Sequence, residues 1–238
     1  MSPGSWEIST VRSQRLLLGM IMPPDLGVSL HLCRSMRSLA LPPDSIYFPV
    51  IGLPFGPARN QAAKYALENG FNLAFWDADV RIEPDAFMKL WATGLDVVSG
   101  LYYQRYYPYM PVVFNEGRDA QGNPVKVSIP FTPGDIVPAT FIPTGLTIYR
   151  HRAVKAGFER WPRLFEWGVD VTPVPSEDGT VPPFSEDFVA SWRLKQLGFQ
   201  PHVATGIVGM HEVRATVGPR WIVPGPSSDP LHGVCGVT

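Results

Sequence analysis

Apolar runs that read as buried strands alternate with helically spaced segments through the first hundred residues, and this alternation restricts the chain more than any other feature. Arg15 to Met22 is the first such run and stops at Pro23-Pro24. Gly27 to Leu39 follows with helical spacing, which points Leu30, Leu32, Met36 and Leu39 inward. Ser45 to Ile51 is a second strand, rich in aromatic and β-branched residues. Gly56 to Glu68 is a second helix, closed by Asn69-Gly70. Phe71 to Trp76 is a third strand that runs into Asp77-Ala78-Asp79, and Pro84 opens a helix to about Thr93. Such alternation predicts an α/β fold whose mostly parallel central sheet is covered by helices on both faces. Ligands of these sheets gather at the carboxyl ends of the strands, where the two aspartates are expected.

The second half has a different texture. Asp96 to Leu101 reads as a strand, followed by the cluster Tyr102, Tyr103, Tyr106, Tyr107 and Tyr109 around Arg105. Pro111 to Phe131 reads as a hairpin turning at Asp119-Ala120-Gln121-Gly122. A strand over Ala139 to Tyr149, broken by Pro143 and Gly145, and a short helix from Arg152 to Ala156 come next, then a long loop over 158–184. Ser185 to Leu197 is a helix, and Gln200 to Val208 a last strand leading to Gly209-Met210-His211-Glu212. One domain is expected over 1–212, with a nucleotide-binding half at about 15–100 and an acceptor-side half at about 101–212. Residues 213–238 read as a Gly/Pro-rich tail or lid.

Charge and cysteine usage narrow the partners. The formal net charge is -1 with no run of like charges, so the basic stripe of a nucleic-acid binder is missing. Cys33 and Cys235 lack metal-ligand spacing and suit a reducing, cytoplasmic setting. The apolar run Leu16 to Met22 is too short to span a bilayer.

Asp77 and Asp79 stand two apart at a strand end, so both carboxylates can face one cleft. Like charges held that close are favoured chiefly beside a cation, and hard oxygen donors suit Mg²⁺ or Mn²⁺ on a diphosphate. The alternative is a pair of turn residues. Glu186 and Asp187 open a helix after Ser185, where they can complement the helix dipole beneath a serine cap or act as a general base. His211 follows a strand in a glycine-containing turn and can be structural or complete a cation site. The tyrosine cluster, with Trp161 and Trp167, can stack on a sugar or base or simply pack under a loop.

The order of these segments resembles the GT-A glycosyltransferases. Phe75-Trp76-Asp77-Ala78-Asp79 resembles their DxD segment, and Gly56-Pro57-Ala58-Arg59-Asn60 their Ala-Arg-Asn stretch. Thr144-Gly145-Leu146-Thr147-Ile148-Tyr149 resembles the glycine-bearing strand before the acceptor region, and Ser185-Glu186-Asp187 the Glu-Asp helix. His211 falls where the family has a late metal-binding histidine. The resemblance implies a GT-A fold and transfer of a sugar from a nucleoside-diphosphate sugar with Mn²⁺ or Mg²⁺. It implies metal binding by Asp77, Asp79 and His211, with Asp77 acting through water or on the ribose. It also implies Arg59 and Asn60 near the nucleotide or diphosphate, and Asp187, beside Glu186, as the base facing the acceptor. That acceptor is a glycan, a small molecule, a protein or a modified base in nucleic acid. Competing readings are a sugar-nucleotide nucleotidyltransferase and a non-catalytic carbohydrate-binding protein. Against the first, Pro23-Pro24-Asp25 stands where a Gly-rich phosphate loop is expected.

Overall fold

The computed structural model describes residues 15–22, 30–104, 109–118, 120, 124–168 and 184–212. Its first half follows the predicted alternation: β1 (Leu16–Met22), α1 (Leu30–Ser38), β2 (Ile46–Ile51), α2 (Phe55–Glu68), β3 (Asn72–Asp77), then a short β4 (Val80–Arg81), α3 (Ala86–Ala92) and β5 (Val97–Tyr102). A separate hairpin, β6 (Phe114–Arg118) with β7 (Pro124–Ser128), precedes β8 (Ile136–Pro138) and β9 (Leu146–Tyr149). The chain then forms α4 (His151–Arg160), α5 (Glu186–Gln196) and β10 (Pro201–His211).

The main sheet runs β2-β1-β3-β9-β5-β10-β4, with β8 also paired to β10. β1 is parallel to β2 and to β3, and β5 is parallel to β10. β9 is inserted antiparallel between β3 and β5, so its first residue lies beside the end of β3, with Leu146 opposite Trp76.

Strand alternation sorts the apolar residues into two cores, one on each face. Leu17 and Ile21 of β1 join Leu73 and Phe75 of β3 against Ala62 of α2, Ala153 of α4 and Leu194 of α5. Leu16, Leu18 and Met20 join Ala74 and Trp76 against Leu32 of α1 and Phe87 and Leu90 of α3. At 7 residues α3 is far below the roughly 12–15 at which isolated helices become marginal in water. Burying Phe87 and Leu90 completely stabilises it by about 1.5–3 kcal/mol for each side chain, so packing rather than propensity holds it.

Several local expectations change. Leu30, expected inward, is exposed on the first turn of α1, whereas Leu32 is buried and Met36 and Leu39 pack against the core. Pro84 precedes rather than starts α3. The strand expected from Ala139 forms only at Leu146, because Pro143 lacks a ladder donor and the backbone leaves regular pairing there. The helix after Arg150 extends to Arg160, shortening the expected loop, and β10 continues to His211 through an irregularity between Ala204 and Val208. Arg105, Tyr106, Tyr107, most of the expected hairpin turn, residues 169–183 and the tail from 213 lie outside the described residues.

Candidate active site

Asp77, Asp79 and His211 gather at the carboxyl end of β3, and Arg59 ties Glu186 to Asp77 there. β3 delivers Asp77 at its last residue, and the following turn delivers Asp79. Both are buried. The turn is held from below by the Trp76 indole, whose Nε1 donates to the Val80 carbonyl at 2.7 Å. It is held from the side by β10: His211 pairs with Val80, and the Glu212 amide donates to the Asp79 carbonyl at 2.8 Å. The extension of β10 therefore brings His211 alongside the Asp79 turn from a point far away in sequence.

The tautomer of His211 follows from its partner. Nδ1 lies 2.7 Å from the Tyr103 carbonyl, which can only accept, so Nδ1 carries a proton and the neutral ring has its lone pair on Nε2. The ring also meets the edge of Tyr102, with centroids 4.8 Å apart.

Arg59, on α2, is 3% exposed and lies between two acids. Its Nη1 and Nη2 donate to Oδ1 and Oδ2 of Asp77 at 3.0 and 3.2 Å, and its Nε donates to Glu186 at 3.1 Å. Burial works against the guanidinium charge, but the Asp77 and Glu186 carboxylates outweigh it and lift the pKa above its ordinary value. The fork pairs with both Asp77 oxygens and joins the end of β3 to the start of α5.

Asp187, half-buried, has its Oδ1 bonded by the Ser185 hydroxyl and by the Phe188 amide at 2.8 Å. Ser185 occupies the helix N-cap, but its hydroxyl serves the Asp187 carboxylate instead of a backbone amide, so the expected side-chain cap does not form. Desolvation, with the Glu186 charge beside it, pushes the Asp187 carboxyl up to about 7 against the opposing pull of Ser185, Arg59 and Phe188. A carboxylate in that range is poised to take a proton near neutral pH.

Asn60 is fully engaged one helical position on. Its Nδ2 donates to the carbonyls of Phe165 and Gly56 at 2.6 and 2.9 Å, and its Oδ1 accepts from the Phe165 amide. The side chain thus pins the segment after α4 to α2. Trp161 is packed beneath Arg160 and Arg193, whereas Trp167 is half exposed. Among the described residues, no group of three or more His, Cys, Asp and Glu side chains is arranged to hold a metal ion.

Three contributors take parts that the sequence does not assign them. Gly145 precedes β9 directly opposite Asp77, whose amide donates to the Gly145 carbonyl at 3.1 Å. A Cβ at Gly145 would stand 2.7 Å from Asp77 Oδ2. An isolated glycine at a strand start signals such a close approach, but the sequence does not say to what. Gly145→Ala is expected to push the Asp77 carboxylate off Arg59 and cost about 1–3 kcal/mol, read as a lower chemical-denaturation midpoint. Tyr102, buried, accepts the Gly145 amide on its hydroxyl at 3.1 Å, and desolvation followed by the Asp77 charge holds its pKa well above the ordinary phenol value. Of its neighbours, Tyr103 and Tyr109 are exposed. Lys126 of β7 places its ammonium 4.9 Å from the Phe188 ring, close to the helix that carries Asp187.

No protein-family model matches this chain, and no curated protein matches it. Solved structures do. A197 from STIV superposes with a TM-score of 0.52 at 18% identity, over 83% of this chain and 86% of that one. GalNAc-T7, solved with UDP, GalNAc and Mn²⁺, gives a TM-score of 0.52 at 13% identity, over 89% of this chain and 46% of that one, so this chain spans less than half of its length. S. aureus TarS 1-349 is more distant, at 12% identity and a TM-score of 0.44. At these identities the likeness concerns the fold alone. The chain has a mixed α/β architecture with a mostly parallel central sheet, and that architecture is the GT-A fold.

Proposed function

We propose that this chain is a metal-dependent glycosyltransferase that moves a sugar from a nucleoside-diphosphate sugar to an acceptor hydroxyl. The observation that carries the reading is the Arg59 fork, which bonds Asp77 at the carboxyl end of β3 and Glu186 at the start of α5, with His211 paired beside the Asp79 turn. Asp79 and His211 fit a hard divalent cation: one offers carboxylate oxygens and the other an imidazole whose lone pair is on Nε2, with its Nδ1–H anchored on a carbonyl as metal-binding histidines usually are. Mn²⁺ or Mg²⁺ there would neutralise charge on the departing diphosphate. Asp77, paired through both oxygens with Arg59, acts on the cation through water or on the ribose.

Asp187 is the base in an inverting transfer. It takes the proton of the acceptor hydroxyl while that oxygen bonds to the anomeric carbon and the bond from that carbon to the diphosphate breaks. Glu186, bonded to Arg59, keeps the start of α5 in register with the DxD turn. Arg59 and Asn60 serve this donor side by holding its walls. Calorimetric titration of a panel of nucleoside diphosphates with Mn²⁺ tests the reading. Asp79→Ala should abolish metal-dependent binding, and His211→Ala should weaken metal affinity by about tenfold or more, equivalent to about 1.4 kcal/mol. Unchanged titrations in both variants would sink the assignment.

A further inference from the structure

A second concave feature opens beside α2, the helix that carries Arg59 and Asn60. The cleft has a volume of about 670 Å³ and lies between α2 and the segment after α4. Small-ligand sites typically span roughly 300–1,000 Å³, so it is large enough to hold more than a single small group. Pro57, Gln61 and Lys64 line one wall at helical spacings of i, i+4 and i+7, which places them on one face of α2. Arg163, Glu166 and Trp167 line the other.

That opposite wall is built, not incidental. Asn60 holds the Phe165 backbone through its amide and its carbonyl, and the buried Arg193 donates to the Arg163 and Leu164 carbonyls at 2.5 and 3.2 Å. Arg193 also reaches Glu166 at 3.4 Å. Two elements thus fix the backbone that presents an indole left 50% exposed. Gly56 marks where the cleft backs onto the start of α5: a Cβ there would lie 3.1 Å from the Phe165 carbonyl and 3.8 Å from the Glu186 Cβ.

The lining chemistry names the occupant. An exposed indole offers an apolar face to the C–H side of a pyranose ring, and the Gln61 amide and Lys64 ammonium can bond the hydroxyls around that ring. We infer that this cleft is a binding subsite for an oligosaccharide, taking the sugar units of a glycan acceptor that lie beyond the reacting one. The inference rests on the transferase reading for its assignment to the acceptor and identifies the acceptor class as a glycan of two or more residues.

A printed oligosaccharide array probed with the full chain tests it. The wild type should retain members of two or more residues, Trp167→Ala should lose them about tenfold, and Gln61→Ala should lose them severalfold, with circular dichroism confirming that both variants fold. The melting-point gain of the same wild-type sample with nucleoside diphosphate and Mn²⁺ reads the donor side separately. Retention that depends on Trp167 without any nucleotide effect would uphold the subsite and contradict the transferase reading. An array on which the wild type retains nothing, or on which Trp167→Ala retains the same members equally well, would overturn the subsite.

Discussion

Replacing Arg59 with methionine is expected to lower the melting temperature by about 6–20 °C. The guanidinium is buried between Asp77 and Glu186 and bonds both. Removing one partner of a buried ionic network leaves uncompensated charge and costs about 3–5 kcal/mol, and each kcal/mol corresponds to about 2–4 °C in a chain of this size. Loss of the Phe75 and Phe55 contacts adds little, because methionine keeps most of the apolar contact. Arg59→Lys keeps the charge but not the planar fork, so it should recover only part of the loss. Adding Asp77→Asn and Glu186→Gln to Arg59→Met removes the orphaned charges and should restore much of the melting point while leaving nucleotide binding impaired. A single Arg59→Met variant as stable as the wild type would show that the network contributes nothing to the fold.

Asp187→Asn is expected to reduce sugar transfer by about 10²–10⁴-fold, the usual contribution of a general base, with metal-dependent nucleotide binding intact. The wild-type rate should rise with pH through about 7, as the Asp187 carboxyl loses its proton. Stability should move in the opposite direction. The folded carboxyl titrates near 7 and the unfolded one near about 3.9, so the folded chain holds a proton that the unfolded chain releases. That contribution is present at low pH and lost as pH rises through the folded value. Asparagine stays neutral and keeps an oxygen for the Ser185 and Phe188 donors, so the variant should melt above the wild type at about pH 8.5, with a gap that narrows as pH falls and closes below about pH 4. Full turnover in Asp187→Asn, or melting curves whose difference does not change with pH, would remove it from this role.

The layered fold was legible because β1, β3 and β5 are buried on both faces and therefore read as continuous apolar runs, which few other architectures require. The Asp pair was legible for the same reason, since it ends one of those runs. What local pattern could not carry was long-range partnership. Arg59 carries no local sign of its partners, yet it is buried against an acid 127 residues away in sequence. Asn60 reads as a ligand-side polar group, yet its amide is consumed by Phe165. Ser185 has the sequence of a helix cap but donates to Asp187, because a charge-assisted bond to the half-buried carboxylate is stronger than accepting from a backbone amide. The antiparallel insertion of β9 escaped for a related reason: a buried strand shows its apolar composition but not its direction.

A thermal-shift panel of nucleoside diphosphates and their sugars, each with and without Mn²⁺, tests the central claim most directly. A ligand that binds only the native state raises the melting temperature, by about 2.7 kcal/mol of added stability at a hundredfold excess over Kd. Stabilisation is expected from one nucleotide class, only when Mn²⁺ is present, and is expected to disappear in Asp79→Ala. Stabilisation that is indifferent to the metal, or none with any nucleotide, would contradict it and return Asp77 and Asp79 to the status of a structural turn.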